Sequence, residues 1–288
     1  MAKKENTVSA DAFEDDFVEE DIYSDSNEIE DNDEVDNDKE INQEKRKRSE
    51  VEEQVDKTKV DEETAPKKKQ KKNNNKKKAK KSNDIYQDMK IWTESPTIQA
   101  EYLLDRMKKA LPTLTDLEIV PVLPESLVDN SKFKQEHTID NLSNYVKFGV
   151  LRHKQLAKKP TTLASPRVLV ITHAALRAAD LGRGLKEFAE VARIAKLFAK
   201  HFKMSEQVEF LKSTPIHLAV GTPNRISALV DNGHLKLDQL ELVVLDTDTS
   251  KGNYNITENF EVRGDLFKFL NGFVFPRMKD GQSKLGFF

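Results

Sequence analysis

Residues 216–249 read IHLAVGTPNRISALVDNGHLKLDQLELVVLDTDT, and the fold can be worked out from this segment. Its two aliphatic runs, 216–220 and 242–245, have the length of strands, and the segment between them has the apolar spacing of a helix. A third aliphatic run, 168–171 (VLVI), lies upstream. Short aliphatic strands joined through helices are typical of a parallel sheet covered on both faces. The sequence therefore predicts an α/β fold with a mainly parallel sheet.

Further elements follow from the same kind of spacing. Pro96, after a serine that can cap a helix, predicts a helix that ends at Pro112, and residues 139–150 predict a second amphipathic helix. The apolar run 118–123 predicts a short buried strand. Residues 183–202 carry an apolar stripe at helical spacing and predict one long helix. The lysines and arginines opposite that stripe would lie either on a solvent-exposed face of the helix or on a surface that faces RNA.

The charge of the chain is divided unevenly. Residues 1–81 contain 25 acidic and 19 basic side chains, whereas the remainder contains 25 acidic and 28 basic ones. Residues 11–38 include 15 Asp and Glu and no Lys or Arg, with few large apolar side chains. Such a segment cannot bury enough surface to offset its ordering entropy. We therefore expect a long disordered charged tail over residues 1–83 and a single folded domain over residues 84–288.

Two basic clusters lie within the tail, at residues 45–48 and 67–81. Dense exposed lysines are typical of nuclear import signals and of phosphate contacts, and acidic segments such as 11–38 suit basic proteins. The second cluster has ten lysines in fifteen residues, to which we assign import: Lys67, Lys68, Lys69, Lys71, Lys72, Lys76, Lys77, Lys78, Lys80 and Lys81. These clusters predict a nuclear protein that meets polyanions.

Several kinds of chemistry are excluded by what the sequence lacks. There is no cysteine, and the six histidines show no ligand spacing, so no disulfide framework, zinc site or thiol nucleophile is expected. No apolar run approaches the roughly 18 residues of a membrane span. The glycine-rich loop Gly-x-x-x-x-Gly-Lys-Ser/Thr, which cradles nucleotide phosphates, does not occur. We predict no metal, no cofactor and no membrane partner.

Residues 216–249 resemble the core of the DEAD-box RNA helicases. Where that family has Thr-Pro-Gly-Arg after a strand, this chain has Thr222, Pro223, Asn224 and Arg225. Where the family has Asp-Glu-Ala-Asp after the next strand, this chain has a degenerate motif II, Asp246, Thr247, Asp248 and Thr249. Thr247 replaces the acid that orients the attacking water, and threonine is no general base at neutral pH. The resemblance implies a single RecA-like lobe without catalysis.

The same resemblance supplies candidate RNA contacts. In the family the Thr-Pro-Gly-Arg turn offers a hydroxyl, a helix N-terminus and an arginine to the RNA backbone, which implies Thr222 and Arg225 here. The helicase segment Pro-Thr-Arg-Glu-Leu-Ala corresponds to the residues after strand 168–171, which implies Thr172 and, with a slip of one residue, Arg177. The alternative is that Thr222 only caps the helix and Arg225 is merely exposed. Asp246 holds the position that orients magnesium in the family, but a lone carboxylate is a poor magnesium site, and we expect it to cap the end of its strand.

Two glutamines resemble further helicase elements, and the chain lacks a later one. Gln99, in Ser-Pro-Thr-Ile-Gln, resembles the family's adenine-reading motif, and Gln207 resembles a helicase glutamine helix. No Ser-Ala-Thr follows Thr249. We expect no second RecA-like lobe in these 288 residues, and therefore no ATP-driven closure between lobes.

The acidic segment, the lysine cluster and a degenerate DEAD-box-like lobe together resemble the fungal Cms family of nuclear proteins. The resemblance rests on SPTIQAEYLLDRMKKALPTL, LVITHAALRAADL, VGTPNRI and VVLDTDT. It implies a non-catalytic assembly factor of the small-subunit processome on early (90S) pre-ribosomes, located in the nucleus and nucleolus, whose partners are pre-ribosomal RNA and ribosome-assembly proteins. The composition also suits a nuclear regulator of DNA replication or a histone-binding protein, and an enzyme with an unrecognised site stays open.

Overall fold

The computed structural model describes residues 84–86, 89–249 and 254–288. In this part of the chain one sheet contains five parallel strands in the order β2-β3-β1-β4-β5. The strands are β1 (Val168–Ile171), β2 (Arg193–Leu197), β3 (Ile216–Gly221), β4 (Leu242–Leu245) and β5 (Lys284–Phe287). The predicted parallel α/β fold is confirmed. The predicted tail, with both lysine clusters, lies outside the described residues.

Seven α-helices join or flank these strands in the described residues. They are α1 (Pro96–Ala110), α2 (Leu142–Gly149), α3 (Ala175–Gly184), α4 (Met204–Ser213), α5 (Pro223–Asp231), α6 (Arg263–Phe269) and α7 (Phe275–Lys279). A π-helical turn, Leu270–Val274, joins α6 to α7. The Oγ atom of Ser95 accepts a bond from the Ile98 amide at 3.5 Å, as expected for the cap of α1.

Alternate strand residues pack into two separate hydrophobic layers. In β1, Leu169 and Ile171 join the layer covered by α1, α4, α5, α6 and α7, while Val168 and Val170 join the layer covered by α2 and α3. All four are completely buried. Because the sheet is covered on both faces, its strands are aliphatic throughout, which is why the sequence shows them as continuous runs.

The predicted helix over residues 183–202 is wrong. Helix α3 ends at Gly184, a 3₁₀ helix spans Lys186–Glu190, and β2 follows as an edge strand. In β2, Ala195 and Leu197 are buried whereas Lys196 between them is exposed, which is the two-residue period of a half-buried strand. The apolar residues of β2 and of the preceding 3₁₀ helix are spaced by chance as they would be along one face of an α-helix.

The predicted strand over residues 118–123 is also wrong. Here the chain makes a turn, and its backbone groups bond to a side chain instead of to a strand. The Val120 amide donates to Asn271 Oδ1 at 2.9 Å, and Asn271 Nδ2 donates to the Glu118 carbonyl at 3.0 Å. One asparagine of the π-helical turn therefore satisfies the backbone that a neighbouring strand would have paired.

Strand β5, which the sequence interpretation missed, is extended on its outer side by a single contact. Leu127 forms an isolated parallel bridge with Leu285, and the Val128 amide donates to the Leu285 carbonyl at 2.8 Å. Three residues after Leu127, Asn130 Nδ2 donates to the Phe287 carbonyl at 2.7 Å. This contact places residues 127–130 beside β5 and directs the following loop toward the edge at which the strands end.

Candidate nucleic-acid interface

The carboxyl edge of the sheet, where all five strands end, collects the predicted motif residues. Register pairs Ile171 of β1 with Gly221 of β3 on one side and with Leu245 of β4 on the other. The next residue in each chain segment is Thr172, Thr222 or Asp246, so three polar residues come side by side. Parallel α/β proteins bind ligands at this kind of edge.

Asp246 is the buried centre of the edge. Its carboxylate, which is not accessible to solvent, accepts from Arg177 through Nε at 3.0 Å and Nη2 at 2.9 Å, and from the Thr172 hydroxyl at 2.7 Å. Burial lowers the pKa of Arg177, but the hydrogen bond and the charge of Asp246 outweigh it and raise that pKa above its ordinary value. Both carboxylate oxygens therefore pair with a guanidinium group, and Oδ1 also accepts from the Asp248 amide at 3.4 Å just beyond the end of β4.

The rest of the degenerate motif II divides between interior and surface. Thr247 is buried, and its hydroxyl donates to the Phe288 carbonyl at 2.7 Å. Asp248 and Thr249 are exposed, and Asp248 lies 3.6 Å from Arg177. Thr247 therefore ties β4 to the end of β5, while Asp248 and Thr249 border the solvent.

Thr222 and Arg225 lie at the start of α5. Thr222 is half-buried and is the N-cap residue of α5, but only its carbonyl, and not its side chain, bonds to the helix. Arg225 donates from Nη1 to Gln207 Oε1 at 2.9 Å and to the Phe202 carbonyl at 3.3 Å. Burial lowers the pKa of Arg225, and none of the described acidic residues forms a salt bridge with it. Its charge is partly desolvated and uncompensated, which favours an anion.

The two glutamines that resemble helicase motifs bind this chain's own backbone. Gln207 Nε2 donates to the carbonyls of Lys196 and Phe198 at 2.8 and 3.0 Å. Gln99 is completely buried, and its Nε2 donates to the carbonyls of Ile91 and Glu94, both at 3.1 Å. Gln207 thus connects β2 to Arg225 of α5, and Gln99 connects α1 to the turn before it. Neither amide is exposed enough to read a base.

A small cavity of about 190 Å³ opens beside the Arg177–Asp246 pair. Its wall is formed by Trp92, His137, Arg177, Thr247, Asp248, Thr249 and Phe288. The His137 ring stacks on Phe288 with 5.3 Å between centroids, and burial lowers the pKa of His137. The sequence interpretation missed Trp92 and His137 as site residues, because they lie far apart in the chain and meet only in the fold, where their ring centroids are 6.4 Å apart.

In the described part of the chain, no group of three or more His, Cys, Asp or Glu residues is arranged to hold a metal ion. No described helix is long and apolar enough to cross a membrane.

The fold and this edge define an α/β lobe with helicase-like motif positions. In this lobe Arg177 pairs with Asp246, the first acidic residue of the degenerate motif II. A family model named CMS1 and described as a U3-containing 90S pre-ribosomal complex subunit matches residues 28–288. The chain therefore belongs to the CMS1 family, which confirms the resemblance found in the sequence.

Curated relatives agree with this assignment. Protein CMS1 of Chaetomium thermophilum is 34% identical over 175 residues, which are 59% of this chain and 70% of that protein. Protein CMSS1 of Danio rerio is 34% identical over 149 residues, 51% of each chain. Among solved structures, Saccharomyces cerevisiae Dbp5 bound to Nup159, Gle1, IP6 and ADP is 14% identical with a TM-score of 0.38, over 68% of this chain and 46% of that one.

Proposed function

We propose that this chain is a non-catalytic nuclear assembly factor that acts on the 90S pre-ribosome, within the small-subunit processome, and binds pre-ribosomal RNA or assembly proteins through its pseudo-helicase lobe. The family description supports the pre-ribosome as the setting. The observation that supports a non-catalytic role is the buried Asp246, whose oxygens are held by Arg177 and Thr172. A metal ion at this position would have to displace an arginine from its bidentate pair.

The RNA contact set predicted from the sequence is revised by these geometries. Thr172 is fully buried, and the guanidinium of Arg177 is paired with Asp246. Both side chains therefore stabilise the carboxyl edge and do not face a ligand. Thr222 and Arg225 remain the proposed contacts with the RNA backbone. A helix N-terminus, a hydroxyl without a capping bond and an uncompensated arginine all favour a phosphate. Phosphate contacts of this kind position a protein on RNA without reading sequence.

The tail would supply import and additional contacts. The ten lysines of residues 67–81 fit a nuclear import signal and bind phosphates without sequence preference, and residues 11–38 fit basic partner proteins. Nucleolar accumulation would then follow from retention on the pre-ribosome.

Cross-linking the tagged full chain to RNA in living cells, followed by sequencing of the recovered fragments, tests this function. We expect pre-ribosomal RNA to dominate the recovered fragments. No enrichment of pre-ribosomal RNA, together with histones and DNA in a parallel purification of the same tagged chain, would instead support the replication or histone-binding alternative. Purified protein should show no RNA-stimulated ATP hydrolysis; hydrolysis that disappears in Asp246→Ala would contradict the non-catalytic role.

A further inference from the structure

The amino edge of the sheet, where the five strands begin, is covered by a strongly basic loop. Residues 151–160 read LRHKQLAKKP and contain Arg152, His153, Lys154, Lys158 and Lys159 without an acidic residue. Residues 141–179 contain seven Lys and Arg and no Asp or Glu. The positive charge of this loop is therefore not balanced by its neighbours in the chain. We call residues 151–160 the amino-edge loop.

A buried carboxylate fixes one end of the amino-edge loop. Glu241 precedes β4 and is 1% exposed. It accepts from the Arg152 backbone amide at 3.2 Å and from Arg152 Nε at 3.0 Å, and it also pairs with Arg167 before β1. A buried carboxylate needs such partners. Two arginines therefore neutralise Glu241 and hold the loop against the start of the sheet.

Two further contacts fix the remainder of the loop. Leu156 is buried in the hydrophobic layer beneath α2 and α3. The carbonyl of Lys158 contacts Nε2 of His217 in β3, and burial is the main cause that lowers the pKa of His217. The neutral imidazole then donates to this carbonyl from Nε2. The loop is thus anchored at Arg152, Leu156 and Lys158, and its exposed bases are presented from a defined backbone.

The exposed lysines of this loop have no acidic partner among the described residues. Lys154, Lys158 and Lys159 are exposed and form no salt bridge there. The partial negative charge at the C-terminus of α2 acts only over the last helical turn. This partial charge therefore cannot neutralise the loop lysines, the first of which lies five residues beyond Gly149. Three unpaired ammonium groups on an anchored loop favour binding of a polyanion.

We propose that the amino-edge loop is a second RNA-binding surface, on which Lys154, Lys158 and Lys159 contact phosphates of the backbone. This surface lies at the opposite end of the strands from Thr222 and Arg225. This proposal rests on the proposed function for one point, which is that the bound polyanion is RNA. A lobe with phosphate contacts at both edges would join two RNA segments, which fits a scaffold rather than an enzyme.

Lysine acylation footprinting on the full chain tests this surface, because mass spectrometry reads each lysine separately from those in the tail. The probe is a mixed-sequence single-stranded RNA. We expect RNA to slow acylation of Lys154, Lys158 and Lys159 severalfold. The variant Lys154→Gln/Lys158→Gln/Lys159→Gln should also reduce the slope of log affinity against log salt by about two, at roughly 0.7 per phosphate lost. The matched control removes three exposed lysines from the carboxyl edge: Lys134→Gln/Lys200→Gln/Lys203→Gln.

Each outcome decides the proposal. Protection of the three loop lysines together with the reduced salt slope supports it. Protection limited to Lys134, Lys200, Lys203 and the tail overturns it and leaves the proposed function standing, whereas protection of tail lysines alone overturns both lobe surfaces. If the loop lysines are already slow to react without RNA and become fast when the acidic residues of 11–38 are replaced by Asn and Gln, the occupant is the chain's own acidic segment, and the RNA proposal fails.

Discussion

Two arginines at the carboxyl edge differ in what surrounds them, and this difference separates their roles. Arg177 faces a buried carboxylate, and the charge of Asp246 raises its pKa against the effect of burial. Arg225 faces an amide oxygen and a carbonyl, and burial alone lowers its pKa. Arg177 neutralises the buried Asp246 carboxylate, whereas half-buried Arg225 has no acidic partner among the described residues. Mutations at the two positions should therefore affect different properties.

Arg177→Ala should destabilise the fold. Removing the guanidinium leaves the Asp246 carboxylate buried without its counter-charge, which costs about 3 kcal/mol of unfolding free energy. The measurement is urea denaturation followed by circular dichroism. Arg183→Ala is the control, because this arginine of the same helix is 59% exposed and pairs with the exposed Asp180; its loss should change stability by less than about 0.5 kcal/mol. Equal effects of the two substitutions would contradict the structural role of the pair.

Arg225→Gln should weaken RNA binding and lower stability by only about 1–2 kcal/mol, because the buried Gln207 Oε1 loses a donor. If this arginine contacts a phosphate, the variant should lose affinity similarly for all RNA sequences, and the salt slope should fall by about 0.7. Lys268→Gln removes the same charge from an exposed position on α6 and serves as control. Unchanged affinity and slope in Arg225→Gln, in protein that circular dichroism shows to be folded, would indicate that the carboxyl edge binds protein only.

At the scale of elements, the edge strand β2 depends on one glycine. A Cβ atom added to Gly221 would lie 2.1 Å from the Leu197 carbonyl oxygen, which is closer than any real contact. The end of β3 can approach the end of β2 only without a side chain. The turn that follows, with Thr222 and Arg225, is therefore placed by a backbone contact that no apolar pattern reveals.

Gly221→Ala should destabilise the protein by about 2 kcal/mol or more, because the strand ends must move apart. Gly182→Ala is the matched control. Gly182 lies inside α3, and a Cβ atom added there would meet no neighbouring element within 4 Å, so alanine should stabilise the protein by about 0.5–1 kcal/mol. Both substitutions reduce the entropy of the unfolded chain alike, so the difference between them reports the contact. Thermal unfolding of the pair measures it, and similar midpoints would refute the argument.

The elements that the sequence predicted correctly are those with a strong local signal. Strands β1, β3 and β4 are buried on both faces and appear as aliphatic runs, and α1 has its cap and proline. Strand β2 is a half-buried edge strand, and its alternation of buried and exposed residues covers only five positions. This short alternation was masked by the apolar stripe that predicted a helix over residues 183–202. For the site, the resemblance named Thr172, Thr222 and Asp246, and the register of the parallel sheet brings them together. The sequence could not show that Asp246 would be paired with Arg177, since that contact spans 69 residues.

At the scale of the whole molecule, the distribution of charge sets what each part can bind. The family match includes residues 28–83, so the charged segment belongs to the family together with the lobe. Acidic residues precede the lysine cluster, and the lobe adds its own basic loop at the amino edge. If the lysine cluster and the basic loop bind RNA as proposed, the acidic residues would compete with RNA for both of them, and the strength of that competition would depend on salt.

Nuclear import should depend on the ten lysines of residues 67–81. Replacing all ten by serine removes the charges that an import receptor recognises, so a fluorescent fusion of the variant should shift toward the cytoplasm. Replacing the same ten by arginine keeps the charges and should keep the protein nuclear. Because binding to a pre-ribosome could retain the serine variant in the nucleus, residues 67–81 should also be fused to a cytoplasmic reporter too large to diffuse through nuclear pores. Nuclear entry of that reporter is expected, and a reporter that stays in the cytoplasm would show that import depends on another part of the chain.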